Sequence, residues 1–346
     1  MNSLRDIAKR VATRSTNRIL TLPILVLMPH GGCNCRCVMC DIWKANREGN
    51  QLTCEELSRH LEPMKRLNVR RVVLSGGEAL MHRNLWSLCE VLEDLDVHIS
   101  LLSSGLLLER YADEVARWCD EVVVSLDGSR ELHDRIRNVP RAFDRLADGV
   151  SAVKARRSGF RITGRCVLQR LNFRDLPHIV SAAEALGLDQ ISFLAADVST
   201  KAFNRPDPWP QVKVEEVALG RDEVKELRRT IEALIEHRAD VFASGFIAES
   251  PQRLRRLPQY YAALLGEGSF PKPVCNAPWV SAVVEADGSV RPCFFHEAYG
   301  NVHDAPLDEI LNGAAATTFR RELDVRRDAT CRKCVCTLDL GVARRA

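Results

Sequence analysis

The sequence predicts an α/β fold, a partial (β/α)6 barrel followed by a small C-terminal α+β domain. Three observations carry that reading. Six strand-like apolar runs alternate with helical patterns between Ile19 and Leu194, which argues for a parallel sheet with helices outside it. The two further strand–helix units that a closed eight-fold barrel requires are not found, so a curved, open barrel fits the count. After Thr200 the alternation stops. Helices follow without strands, and a hairpin comes in beyond Pro271.

Taken in order, the run Ile19–Met28, interrupted by Pro23, reads as the first strand and is far too short to span a membrane. Thr53-Cys54-Glu55-Glu56 is a capping box opening a helix with Leu57, Leu61 and Met64 on one face. Val72–Ser75 is a short buried strand, and Leu85, Leu88 and Leu92 mark the helix after it. Val97–Leu102 reads as a strand, Tyr111–Trp118 as a helix and Glu121–Leu126 as the fourth strand. A helix carrying Phe143, Leu146, Val150 and Val153 leads to the strand Arg161–Leu168. One more helix, around Ile179–Leu186, leads to Gln190–Leu194. Chemistry in such folds sits at the C-terminal ends of the strands.

Asn204–Val212 holds three prolines and reads as a linker. Two helical segments follow, one with Val224, Leu227, Ile231 and Leu234, the other around Leu254–Leu265. Ser281–Glu285, a turn at Asp287-Gly288 and Val290–Cys293 make the hairpin. The expected organisation is a lead-in helix over 1–21, the barrel over 22–203, linker and helices over 204–270, and the small domain over 271–346.

Apolar residues make up 46% and charged residues 27%, the composition of a folded protein. The net charge of +3 is small for 346 residues, and aromatic and basic residues do not interleave, which argues against a nucleic-acid partner. Arg5, Lys9, Arg10, Arg14 and Arg18 surround Leu4, Ile7, Ala8 and Val11, the pattern of a basic amphipathic helix. It reads as a lead-in packed on the body, with contact to a membrane surface as the alternative. No transmembrane segment and no secretory signal are legible, so a cytoplasmic location is expected. Thirteen cysteines are the anomaly. An odd count without a signal argues against a disulfide framework and for metal or redox chemistry.

Cys33, Cys37 and Cys40 lie on a loop just after the first strand. Thiolates at i, i+4 and i+7 can wrap three corners of an iron–sulfur cubane and leave the fourth iron open for a substrate or cosubstrate. Cys35 sits between them, and Cys33-Cys35 or Cys35-Cys37 pairs can also hold zinc. Ser75-Gly76-Gly77-Glu78 ends the second strand; the glycines admit a close backbone approach, and the carboxylate can accept from an ammonium group. Ser103-Ser104-Gly105 and Ser125-Leu126-Asp127-Gly128 close the third and fourth strands, each serine being a ligand or a helix cap.

The Cys-x3-Cys-x2-Cys loop resembles the signature of the radical S-adenosylmethionine (radical SAM) superfamily, and Cys40-Asp41-Ile42-Trp43 is similar to many members. The resemblance implies a [4Fe–4S] cluster on Cys33, Cys37 and Cys40 whose open iron chelates S-adenosylmethionine, and reductive cleavage to a 5′-deoxyadenosyl radical. It implies that Gly76, Gly77 and Glu78 bind the methionine amino group, that Ser125 contacts S-adenosylmethionine, and that Ser103 and Ser104 lie nearer the substrate. Met39 stands where an aromatic residue is common and can pack on adenine, and the end of the sixth strand at Leu194 and Ala195 corresponds to backbone contacts with adenine. No catalytic side chain beyond these is assigned.

Cys275, Cys293, Cys331, Cys334 and Cys336 form a second set. On spacing alone, four thiolates suit tetrahedral zinc or a fully ligated [4Fe–4S] cluster equally. Cys275, twelve residues to Gly288 and four to Cys293 resemble the start of the SPASM domain of radical SAM enzymes, as do Gly300-Asn301 and Cys331-x2-Cys334. Five cysteines resemble its shortened "twitch" form, an iron–sulfur domain with one auxiliary [4Fe–4S] cluster on Cys275, Cys293, Cys331 and Cys334, Cys336 being the alternative fourth ligand. Cys54, Cys89, Cys119 and Cys166 lie within helical or strand patterns and read as free, buried thiols.

The expected reaction is a two-electron oxidation, such as alcohol dehydrogenation, of a small-molecule or conjugated biosynthetic substrate, with the auxiliary cluster as electron acceptor and an external donor such as flavodoxin or ferredoxin. The thirty-two residues before Cys33 are too few for a leader-peptide domain, although a separate subunit can supply one, so peptide modification is the alternative. Redox-neutral epimerisation or dehydration is a further one. Arg165 and Arg170, flanking the end of the fifth strand, are substrate contacts or solvated side chains. Outside this class stands a non-catalytic zinc-binding module.

Overall fold

The computed structural model describes residues 4–45 and 50–341. Nine strands are present among them: β1 (Ile24–Leu27), β2 (Arg71–Leu74), β3 (His98–Ser103), β4 (Glu121–Ser125), β5 (Arg161–Leu168), β6 (Gln190–Ala195), β7 (Ser281–Val284), β8 (Ser289–Arg291) and β9 (Gly300–Asn301). The helices used below are α1 (Leu4–Thr16), α2 (Cys54–Arg59), α3 (Leu61–Arg66), α4 (Leu85–Glu93), α5 (Ala112–Trp118), α6 (Arg130–Arg137), α7 (Ala142–Arg156), α8 (Leu176–Ala185), α9 (Gln211–Val217) and α10 (Arg221–His237). The architecture is α/β, with the parallel sheet expected of a partial barrel. Two compact units divide the chain, with the boundary falling inside β3.

The first unit comprises Met1–Cys33, Lys44–Leu101 and Pro273–Ala346. Its strands run in the order β3-β2-β1-β7-β8-β9. β1 pairs in parallel with β2, Ile24 opposite Arg71, and also with β7, Ile24 opposite Ser281. The terminal hairpin is therefore stitched into this sheet through β7. Every residue of β7 is buried, as a strand covered on both faces requires, whereas β2 alternates. The Thr53 capping box forms as read, but the helix it opens breaks at His60. Pro63 has no N–H for the Arg59 carbonyl, and the His60 ring instead takes the Leu307 N–H on Nδ1 while Nε2 meets the Val302 carbonyl. α1 lies over the expected residues with a different face inward: Arg10 and Thr13 are buried, while Leu4 and Val11 are exposed. Arg10 donates to the Gly341 carbonyl, and the Thr13 hydroxyl accepts the Leu20 N–H, so polar bonds dock this helix.

The second unit comprises Asn34–Trp43 and Leu102–Lys272. β4, β5 and β6 pair in parallel, Ser125 opposite Arg165 and Leu168 opposite Ala195. α7 buries Leu146, Val150 and Val153 and leaves Phe143 half-buried, and α10 buries Val224, Leu227, Ile231 and Leu234, as their periodicity marks. The helix read around Leu254–Leu265 is present as Arg256–Leu264, with a separate single turn, Pro251–Leu254, before it. Within it Tyr261 is wholly buried; its hydroxyl donates to the Leu168 carbonyl and accepts the Ala196 N–H, which fixes the ends of β5 and β6 together. Among the described residues, no helix is long and apolar enough to cross a membrane.

Candidate active site

In the second unit, the loop Asn34–Trp43 carries Cys35, Cys37 and Cys40. Two elements hold it. The end of α6 takes the Arg36 N–H on the Arg137 carbonyl and the Val38 N–H on the Ile136 carbonyl, both at 3.1 Å. Arg137 itself donates from Nη1 to the Cys37 sulfur at 3.4 Å and is ion-paired to the buried Asp127. The other element is the stretch after β6. Arg205, wholly buried, donates to the Asp197 carboxylate at 2.8 Å and reaches the Met39 carbonyl at 3.4 Å, and it stacks 3.9 Å from the Trp209 ring. Trp209 in turn donates to Asp41 at 2.8 Å. The proline-rich segment, a linker by composition, is thus a strap across the cysteine loop.

This setting is unusual for thiols. The Cys35 thiol and burial push the Cys37 pKa well up, and burial pushes Cys40 up to about 11, while Arg137 pulls both the other way and Arg205 does so for Cys40. Neutral thiols would draw nothing from two buried cations; a thiolate or an anionic group would. His133 is buried and neutral, its pKa driven down to about 3 by desolvation and by Arg137, with Nδ1 accepting the Asp127 N–H. Ser104 donates to Asn34 at 3.0 Å, tying the end of β3 to the loop, and Ser103 accepts the Gly105 N–H as a turn cap. Ser125 and Ala195 end β4 and β6, Ala195 buried and Ser125 half-buried. Arg170 braces the end of α9, donating to the Glu215 carbonyl at 2.7 Å and pairing with Glu223. Beyond the ends of β5 and β6, a cavity of about 400 Å³ is lined by Arg170, Val198, Ser199, Val214 and Leu219 among others.

In the first unit, Cys33 is half-buried, and the turn after β2 explains both glycines. Gly76 sits at φ +118°, a conformation other residues adopt at a cost. A Cβ on Gly77 would run into the Gly32 carbonyl, so its absence lets the backbone leading to Cys33 approach. Glu78 is fully buried; its N–H donates to the Gly32 carbonyl at 2.9 Å, and its carboxylate accepts from Leu80 at 3.3 Å.

The terminal cysteines of the same unit share one electrostatic neighbourhood. Burial raises Cys293 to about 11 and pushes Cys331 and Cys334 higher still, with Cys275 and Cys293 acting on both. Cys336 is exposed, while the other four are half-buried. His296, three residues beyond Cys293, lies 3.3 Å from the Cys331 sulfur, and Asp328 accepts the Cys331 N–H at 2.8 Å. His296, Asp328 and Cys331 form a group that could hold a metal ion.

Residues 27–183 match the model of the radical SAM superfamily, and residues 275–335 match that of SPASM, an iron–sulfur cluster-binding domain. The chain is a radical SAM enzyme with a C-terminal SPASM domain. Over 311 residues it is 26% identical to the Fe-coproporphyrin III synthase of Methanosarcina barkeri, covering 83% of this chain and 73% of that one. It is 23% identical over 313 residues to the PqqA peptide cyclase of Granulibacter bethesdensis, covering 87% and 76%. The crystal structure of Streptococcus suis SuiB bound to S-adenosylmethionine superposes with a TM-score of 0.66 at 16% identity, covering 96% of this chain and 76% of that one, a likeness of fold.

The cofactors are accordingly a [4Fe–4S] cluster with S-adenosylmethionine, and auxiliary iron–sulfur in the terminal domain. The donor sets fit. Buried thiols faced by guanidinium groups suit an anionic cluster, and five neighbouring thiols suit another. Sequence reasoning missed Arg137, Arg205, Asp197 and His296. Only His296 had a legible signal, the Cys-x2-His spacing from Cys293.

Proposed function

We propose that the chain cleaves S-adenosylmethionine at Cys33, Cys37 and Cys40 and oxidises a small or conjugated biosynthetic substrate by two electrons, as in dehydrogenation of an alcohol. The observation that carries this reading is the wrapping of Cys37 and Cys40 by Arg137 and Arg205. Bound there, the cluster and S-adenosylmethionine supply an electron and a 5′-deoxyadenosyl radical, and an auxiliary cluster supplies an electron acceptor. The chain's own residues orient and enclose. Glu78 accepts from the ammonium of S-adenosylmethionine, and Gly76 and Gly77 admit the close backbone approach. Met39 packs on adenine, near the backbone at Ala195, and Ser125 hydrogen-bonds the cosubstrate. Cys275, Cys293, Cys331 and Cys334 hold one auxiliary cluster, with Cys336 as the alternative to Cys334. A cavity of about 400 Å³ at the strand ends supports a small substrate, as does the likeness to a synthase acting on a porphyrin-type molecule by its name. The likeness to a peptide cyclase favours a peptide as the second reading. A cytoplasmic setting with flavodoxin or ferredoxin as donor completes the proposal.

The test is product mass in the wild type and in Cys275→Ala/Cys293→Ala. The wild type should yield product two hydrogens lighter, one per 5′-deoxyadenosine. The variant should lose about half its iron, keep uncoupled cleavage and make no oxidised product, with folding checked by circular dichroism. A product isomeric with substrate, or lighter by water, would end the oxidation reading.

A further inference from the structure

We propose that Arg137 is a positioning residue for the cluster on the cysteine loop, holding the Cys37 sulfur by a hydrogen bond and, with Asp127 behind it, setting how readily that centre accepts an electron. The inference rests on Cys33, Cys37 and Cys40 being the cluster ligands.

The end of α6 engages three consecutive loop residues. Arg36 and Val38 donate their N–H groups to the Arg137 and Ile136 carbonyls, and the Cys37 sulfur between them accepts from Arg137 Nη1 at 3.4 Å. Asn138, in the left-handed conformation at φ 54°, ends the helix there and turns the chain away, leaving those two carbonyls to the loop. The guanidinium cannot drift. Its other amino group is paired to Asp127, whose Oδ1 accepts the Val167 N–H at 2.8 Å and whose own carbonyl accepts from Asn172 at 2.8 Å. Asp127 has no exposed surface, and Arg137 has almost none. A planar fork can reach a sulfur and a carboxylate at once, which the point charge of lysine cannot do with the same geometry.

The electrical consequence follows from the order of the charges. Asp127 cancels the formal charge of Arg137, so the sulfur faces an oriented dipole with its positive end inward. Adding an electron to the centre makes it more negative, and an N–H donor in a low-dielectric site stabilises that state preferentially. Removing the donor therefore lowers the midpoint potential, and removing the carboxylate while keeping the arginine raises it. A residue acting only as a structural clasp would produce neither opposed shift.

The experiment is a redox titration of the cluster signal by electron paramagnetic resonance on reconstituted protein, alongside iron content and S-adenosylmethionine affinity. Arg137→Gln should shift the oxidised-to-reduced ratio about tenfold toward oxidised, ~59 mV more negative for a one-electron couple. Asp127→Asn should shift it the other way, and the double variant should fall between them. Arg137→Lys, the milder change, should retain its iron with a smaller negative shift. Unchanged potentials in both single variants, weakened cosubstrate binding without a shift, or iron lost from Arg137→Lys as well as Arg137→Gln would each overturn the assignment. Cys33, Cys37 and Cys40 replaced together by Ala, run in parallel, separate the two failures. A catalytic-cluster signal surviving there removes the ligand reading, whereas its loss with unmoved potentials elsewhere removes only the arginine.

Discussion

Cys37 and Cys40 are faced by two buried arginines, each backed by its own buried aspartate, Asp127 or Asp197. Cys334 is faced chiefly by other cysteines, and Cys331 by Asp328 and the His296 ring, with Cys293 and Cys275 further out. The first set sits on a loop fastened from both sides by protein hydrogen bonds, and the second on short segments where half-buried thiols crowd together. The two regions get their order differently. The N-terminal loop is shaped by the protein, which turns an N–H donor of Arg137 onto the Cys37 sulfur. On the function proposed above, the C-terminal set gains much of its order from the cluster that its thiolates share, as in small metal-stapled domains.

The largest effect should come from Arg205→Met, which leaves Asp197 buried and unpaired and removes the tie to the Met39 carbonyl. A loss of about 3–5 kcal/mol is expected, read as the denaturant midpoint of the reconstituted protein, with part of it recovered by adding Asp197→Asn. An undiminished midpoint would mean that the strap contributes nothing to holding the loop. Glu78→Gln should have a smaller, purely functional effect. Losing a charge-assisted contact of roughly 1.5–3 kcal/mol weakens S-adenosylmethionine binding by about ten- to a hundred-fold, and the iron content of both regions stays constant. If the dissociation constant does not move, Glu78 is only the cap of the turn after β2 that its bond to Leu80 already makes it.

Much of this is legible in the sequence. Periodicity located β1 to β6, α4, α7 and α10, because those elements bury simple apolar faces. The cysteine spacing and the Gly-Gly-Glu turn were legible for a similar reason, since each residue type is tied to a narrow chemistry. What escaped was polar burial. α6 hides His133, Ile136 and Arg137, a pattern that reads as solvated in sequence although it clasps the loop. Arg205 sits beside three prolines that signal a linker; Asp197 is near it in the chain, but Met39 is distant enough that only the fold unites the two. The face of α1 was misjudged because Arg10 and Thr13 dock it through hydrogen bonds where apolar contacts were expected. Pro63 did announce the break between α2 and α3, and the apolar spacing across it masked the signal.

On the proposed function, the N-terminal cysteines are the site of S-adenosylmethionine cleavage and the C-terminal ones a separate centre. Anaerobic reconstitution should give about eight irons per chain, and replacing Cys33, Cys37 and Cys40 together by Ala should leave about four. Under dithionite, the wild type should form 5′-deoxyadenosine and the triple variant none. Undiminished 5′-deoxyadenosine from the triple variant would contradict the account, and the catalytic centre would then have to be sought elsewhere in the chain.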